Sequence, residues 1–172
     1  KLSIDDGVRR FIPELPQYER PITLRMLLNH TSGLRDYLTL FALRGVHFDG
    51  VTGDAEALDV IVRQRRTNFS PGSEFLYSNS GYFLLSQVVK RVSGQTLAQF
   101  LQARVFAPLA MRDTHMHDDH TRIVPLRATG YSPREVGGFA VDMSGFEQTG
   151  DGAVYTTVED LLRWDRNFYE PT

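Results

Sequence analysis

The run Tyr77-Ser78-Asn79-Ser80-Gly81-Tyr82-Phe83-Leu84-Leu85-Ser86-Gln87-Val88-Val89-Lys90-Arg91-Val92-Ser93-Gly94 reads as a capped helix. Leu85, Val88, Val89 and Val92 follow the i, i+3, i+4, i+7 spacing of one helix face, and Gly94 stands where a left-handed C-terminal cap belongs. Upstream, Phe69-Ser70-Pro71-Gly72 marks a turn before Phe75-Leu76 leads into the helix. Tyr77 and Asn79, two residues apart at a loop-to-helix junction, can put a phenol and a carboxamide into one cleft. Taken alone, the tripeptide is equally a core tyrosine beside an N-capping asparagine.

Further helical signals flank this run. Ser3 and Asp6, then Val8, Phe11 and Ile12 before Pro13, predict a short capped helix stopped by proline. Thr23 caps a segment carrying Leu24, Leu27 and Leu28 that breaks at Ser32-Gly33. From Asp54 the acids come early (Glu56) and the bases late (Arg63, Arg65, Arg66), the order a helix macrodipole favours, with Leu58, Ile61 and Val62 on one face. Thr96 with Gln99 forms a capping box for a helix bearing Leu97, Phe100, Leu101 and Val105 and ending at Pro108. Thr157, with Asp160 three residues on, opens a last helix carrying Leu161, Leu162 and Trp164.

Between residues 109 and 153 the periodicity fails, and Pro125, Pro133, Gly137, Gly138, Gly145, Gly150 and Gly152 are among the residues that punctuate an irregular region. Short strands are expected there at 128–131 and 153–156. The reading is a mainly α, single helical domain over 1–172 with a long irregular region and few short strands.

Composition narrows the chemistry. The 172 residues are 41% hydrophobic with a net charge of −2, and cysteine is absent. A core large enough to fold without staples is available. Disulfides, thiol catalysis and thiolate metal sites are excluded, and no broad basic field recruits nucleic acid or an anionic membrane surface. No apolar run approaches the ~20 residues that span a bilayer. Of the 19 basic residues only Lys1 and Lys90 are lysine.

Other reactive-looking groups have simpler readings. Ser32 in His30-Thr31-Ser32-Gly33 lacks the glycines of a nucleophile elbow at positions 30 and 34, so it reads as a turn. His115, His117, Asp118, Asp119 and His120 are ligand types for zinc, but no helical spacing points them inward. They read as an exposed polar turn, and no metal or organic cofactor is expected. Gly150-Asp151-Gly152 has the spacing of neither phosphate-cradling loop. Trp164, Phe168 and Tyr169 read as core or buried interface.

Taken in order, Leu2–Asp6, Ile22–Leu34 with its His30-Thr31-Ser32-Gly33-Leu34, Tyr77-Ser78-Asn79 with Gly81–Leu85, Val92-Ser93-Gly94, Phe106–Met111 with Asp113-Thr114, and Gly150–Trp164 resemble the penicillin-recognising serine hydrolases. That family comprises class C β-lactamases, D-alanyl-D-alanine carboxypeptidases and related esterases. The resemblance covers almost the whole chain and implies the helical domain of the β-lactamase/transpeptidase-like fold, with most of the β-domain missing.

It also implies acyl transfer, in which a serine attacks an amide or ester carbonyl of a small-molecule or peptide substrate and water releases the acyl-enzyme. Tyr77 would be the catalytic proton carrier and Asn79 the substrate-binding amide. The family's other elements, Ser-x-x-Lys and Lys-Thr-Gly or His-x-Gly, are absent: Gln87 stands three before Lys90, and no histidine has glycine two residues later. Both losses belong beyond the chain ends, so a fragment that is inactive alone is expected, the alternative being a non-catalytic binding module or pseudoenzyme. A parent outside the cytoplasm, and self-association through surface exposed by truncation, complete the expectations.

Overall fold

The computed structural model describes residues 2–47 and 50–170. Its helices are α1 (Leu24–Leu28), α2 (Tyr37–Leu43), α3 (Asp54–Val62), α4 (Asn79–Ser93), α5 (Leu97–Leu101) and α6 (Val158–Arg166), with a π-helical turn at Gln102–Phe106 directly after α5. Four short strands pair into two small antiparallel sheets: β1 (His115–Met116) with β4 (Val154–Tyr155), and β2 (Tyr131–Pro133) with β3 (Phe139–Val141).

The caps form as their residue types dictate. Thr23 Oγ1 accepts from Met26 N at 3.3 Å at the head of α1. Thr96 and Gln99 close a reciprocal box on α5, at 3.2 and 3.0 Å. Thr157 Oγ1 accepts from Asp160 N at 3.3 Å on α6, and Gly94 ends α4 at φ 73°.

The predicted helix after Ser3 shrinks to a 3₁₀ turn, Val8–Arg10. Its backbone groups are taken by the segment before α1: Val8 N donates to Ile22 O at 2.8 Å and Leu24 N to Asp6 O at 3.0 Å. Helix α2 has no counterpart in the sequence reading, although Asp36 caps it by accepting from Thr39 N at 3.0 Å. Strands β1 and β3 were likewise unforeseen, and the strand expected at 128–131 lies at Tyr131–Pro133.

One core gathers Val8, Ile12, Leu15 and Ile22 with Leu24 and Leu27 of α1, Tyr37 and Phe41 of α2, Ala57, Val60 and Ile61 of α3, and Phe83, Leu84 and Val88 of α4. The face of α4 that enters it differs from the expected stripe. Ser80, Phe83, Leu84, Gln87 and Val88 are buried, whereas Val92 is exposed. The reason is steric: α1 lies so close that a Cβ on Gly81 would sit 2.9 Å from Leu27 O, and small residues make that approach possible. On α3 the buried face is likewise Ala57, Val60 and Ile61, with Leu58 and Val62 at its margin.

Helix α6 departs most. Its apolar residues face outward, with Leu161 49%, Leu162 57% and Trp164 40% exposed, and Phe168 and Tyr169 beyond it are exposed too. None of these is core of the described fold, contrary to expectation. The one buried residue of α6 is the acid Asp160, which accepts from Asp113 N and Thr114 Oγ1, each at 2.8 Å, and from Arg163.

Candidate active site

The loop 30–36 is laced to the segment that leads into α4. Gly72 N donates to Thr31 O at 2.8 Å, Asn68 N to Gly33 O at 2.8 Å and Leu76 N to His30 O at 3.0 Å. At the end of this lacing Ser80 Oγ accepts from Tyr37 N at 2.9 Å and donates to Arg35 O at 2.7 Å. Residues 77–79 are therefore held by a rigid neighbour.

Tyr77 and Asn79 come together. The Tyr77 hydroxyl donates to Asn79 Oδ1 at 3.2 Å, with Tyr77 58% exposed and Asn79 half-buried. Asn79 does not cap α4; it is the first helical residue, and Ser78 occupies the N-cap position. The Ser78 side chain makes no capping bond, and its buried Oγ has no hydrogen-bond partner among the described residues. Both polar ends of the Asn79 side chain are engaged, Oδ1 by the Tyr77 hydroxyl and Nδ2 by Asp36 Oδ2 at 2.7 Å, and the same Asp36 oxygen accepts from the Asn79 backbone N at 2.6 Å.

His30 and Asp36 are residues that sequence reasoning missed here; His30 holds the junction through its ring. It adopts φ 55°, a left-handed conformation uncommon outside glycine. Its ring lies 4.5 Å from that of Tyr77, stacks on Tyr82 at 5.3 Å and meets the edge of Phe75 at 6.0 Å. Ser78 N donates to His30 Nδ1 at 3.3 Å, so the neutral ring carries its proton on Nε2. The sequence signal was present in His30-Thr31-Ser32-Gly33, but it pointed to a turn. That part holds: Ser32 is buried, and its Oγ accepts from Leu34 N at 3.3 Å two residues on.

The Gly150-Asp151-Gly152 segment closes one side. Gly150 packs on α4, where a Cβ would fall 2.5 Å from Tyr82 O, and its φ of +114° suits glycine. The Tyr37 hydroxyl donates to Asp151 Oδ2 at 2.7 Å. Burial raises the Asp151 carboxyl above its ordinary range, the Tyr37 hydrogen bond opposes this, and the Asp36 charge adds to it. Burial also raises the Tyr37 phenol, reinforced by the charge of Asp151.

The histidine-rich stretch divides. His117 is buried and stacks on Tyr155 at 4.3 Å, with its Nδ1 3.3 Å from His115 Nε2, so it is not part of an exposed turn. Burial holds both imidazoles below their usual range, helped by Arg122 and Arg127. Asp118, Asp119 and His120 are exposed as expected. Ligand atoms of Asp119, His120 and Glu147 lie within 4.8 Å of one another, but each is already engaged: His120 Nδ1 with Glu147 Oε1 at 2.6 Å, and Asp119 Oδ1 with Thr121 N and Oγ1. An open cavity of about 1450 Å³ lies elsewhere, between α5, the 122–128 segment and the β1–β4 sheet. It touches neither Tyr77 nor Asn79 and is broadly open to solvent, so the convergence of polar groups at Tyr77 is the better guide to chemistry.

A beta-lactamase family profile matches residues 1–170. D-aminopeptidase of Brucella anthropi is 31% identical over 163 residues, covering 95% of this chain and 31% of that protein. Penicillin-binding protein 4* of Bacillus subtilis is 31% identical over 187 residues, covering 98% of this chain and 40% of that protein. Among solved structures, the penicillin binding protein from Bacillus halodurans superposes with a TM-score of 0.83 at 26% identity, covering 98% of this chain and 52% of that one. The chain thus spans about a third to a half of the length of these relatives.

Proposed function

We propose that this chain, which belongs to the beta-lactamase family, forms one wall of the active site of a serine hydrolase that cleaves amide or ester bonds through an acyl-enzyme. Tyr77 is the catalytic proton carrier and Asn79 the substrate-binding residue. The observation that carries the reading is the Tyr77–Asn79 contact at 3.2 Å on a junction held by Asp36 and His30. The names of the relatives, D-aminopeptidase and penicillin-binding protein, favour an amide as the scissile bond.

A serine hydroxyl becomes an effective nucleophile when a neighbouring group takes its proton, and a half-exposed phenol at a cleft wall can relay that proton to the leaving group. The Asn79 amide can hold the substrate's own amide beside it. Neither a Ser-x-x-Lys nor a Lys-Thr-Gly or His-x-Gly element occurs in residues 1–172, so these residues alone are inactive. Loss of the nucleophile typically costs on the order of 10⁶ in rate. The same proposal places the whole protein outside the cytoplasm. It also assigns the apolar face of α6 to self-association, in keeping with an octameric penicillin-binding protein homologue from Pyrococcus abyssi among the structural neighbours.

The test uses the full-length protein with D-alanine p-nitroanilide and p-nitrophenyl acetate. Turnover abolished by a serine-directed acylating agent, and a Tyr77→Phe variant slowed about 10²- to 10⁴-fold in kcat, are expected. Hydrolysis by residues 1–172 alone, or a Tyr77→Phe variant as fast as the parent, would overturn the assignment. Saturable binding of a peptide without turnover would favour a binding module.

A further inference from the structure

We propose that Asp36 is a positioning residue that fixes the orientation of the Asn79 carboxamide, an inference that rests on the reading of Tyr77 and Asn79 above. A carboxylate only accepts hydrogen bonds, so the part of the Asn79 side chain facing Asp36 Oδ2 at 2.7 Å is its NH₂ group. Oδ1 then points away from Asp36 and towards Tyr77, whose hydroxyl donates to it at 3.2 Å. One carboxylate thereby sets which end of the amide faces the catalytic phenol.

The same carboxylate joins two helices. Oδ1 caps α2 through Thr39 N at 3.0 Å and Thr39 Oγ1 at 3.3 Å, while Oδ2 takes the first backbone N–H of α4 at 2.6 Å. Because both oxygens are committed to rigid elements, Asp36 has no freedom to follow Asn79, and Asn79 must conform to it. Bonds to an ionised acceptor are about twice as strong as neutral ones, which suits Asp36 to this duty better than an asparagine. After these contacts Asn79 keeps one N–H and one lone pair of Oδ1 for a ligand. That is the complement of a single peptide group, presented in one orientation.

Asp36→Asn separates positioning from simple stitching. Asparagine caps α2 about as well as aspartate. If its oxygen stays on Thr39, however, its NH₂ meets the Asn79 N–H and NH₂ donors head-on. Two readouts are needed. The first is the ¹H–¹⁵N spectrum of the Asn79 side-chain amide in residues 1–172, with a melting curve confirming that the variant folds. The second is hydrolysis of D-alanine p-nitroanilide by the full-length protein. The expected result is a displaced Asn79 NH₂ resonance pair with faster solvent exchange. In the enzyme, kcat falls about 10²-fold, the size of effect that a misplacement near 1 Å produces. Introduced into Asn79→Ala, the Asp36 change should cost little more, because it acts through the missing amide.

Unchanged Asn79 side-chain resonances in a folded Asp36→Asn variant would overturn the proposal, as would costs that multiply in the double variant. Should Asp36→Asn fail to fold, Asp36→Ser keeps a capping acceptor for α2 while withdrawing the acceptor from Asn79, and the same spectra decide. If the wild-type enzyme turns over neither amide nor ester, the functional reading falls, and the spectra still judge the positioning.

Discussion

Asp160→Ala should destabilise the fold by about 3 kcal/mol, and the sum can be made contact by contact. Asp160 is fully buried. Its loss leaves the Asp113 N–H without the acceptor it has at 2.8 Å, at about 1–3 kcal/mol for an orphaned donor. Thr114 Oγ1 loses a bond of 2.8 Å but keeps Thr156 Oγ1 at 2.7 Å, so about 0.5–1.5 kcal/mol is at stake there. Arg163, 45% exposed on its side chain, is re-solvated at a cost near zero. Removing a negative charge from the first turn of α6 adds about 0.3–1 kcal/mol. For a chain of this size the total corresponds to a fall in Tm of roughly 6–12 °C.

Asp160→Asn provides the control. Its Oδ1 can replace the oxygen that serves Asp113 and Thr114, and its NH₂ falls where the exposed Arg163 can swing away. The expected cost is about 1 kcal/mol. Although burial opposes ionisation, the hydrogen bonds from Thr114, Asp113 and Arg163 hold the Asp160 carboxyl below its usual range. A depressed folded-state pKa contributes stability above the unfolded value of about 4 and loses it as pH falls through the folded value. The wild-type advantage over Asp160→Asn should therefore vanish in acid. Urea unfolding of the three proteins at neutral and acid pH measures this. An Asp160→Ala cost below about 1 kcal/mol, or an equal cost for Asn, refutes the ledger.

Gly150→Ala should destabilise by about 2–3 kcal/mol, because its Cβ would meet Tyr82 O at 2.5 Å and Ser86 Cβ at 2.9 Å at a φ of +114°. Gly152→Ala, with nothing within 4 Å of its Cβ, should stay within about 0.5 kcal/mol, and thermal melts of the pair decide. Asp151→Asn should raise the melting temperature at neutral pH. The folded-state carboxyl is raised by burial, so its contribution is fully present below the unfolded value of about 4 and lost as pH climbs through the folded value. The gap between variant and wild type should close in acid, and a gap independent of pH would contradict the assignment.

What could be read from the sequence was what the chain settles locally. Thr23, Thr96 with Gln99, Thr157 and Gly94 each act on backbone groups within four residues, so residue type and spacing sufficed to place the starts of α1, α5 and α6 and the end of α4, whereas the helix expected to run to Pro108 passes into the π-helical turn after Leu101. The face of a helix is a different matter. Leu85, Val88, Val89 and Val92 make the better stripe on α4 by hydrophobicity, yet Ser80 and Gly81 are interior, because the close approach of α1 selects small residues. Asp160 was legible only as the residue three positions after the cap Thr157. Its burial depends on donors 46 and 47 positions away.

The candidate site divides along the same line. Tyr77 and Asn79 are two residues apart, and their juxtaposition was readable. Their support is not: Asp36 reaches Asn79 across 43 positions and His30 reaches Ser78 across 48. A spacing rule detects a pair that shares a helix end, but it is blind to what orients the pair. Under the function proposed for the pair, orientation decides the chemistry. Without Asp36 the Asn79 amide can turn either end to Tyr77, and the hydroxyl would meet an acceptor or a competing donor. With Asp36 in place one arrangement satisfies every partner, and the phenol's hydrogen is directed at Oδ1. Preorganisation of that kind lowers the cost of bringing reacting groups into line. The residues most worth altering in this chain are therefore those that touch the Tyr77–Asn79 pair from afar.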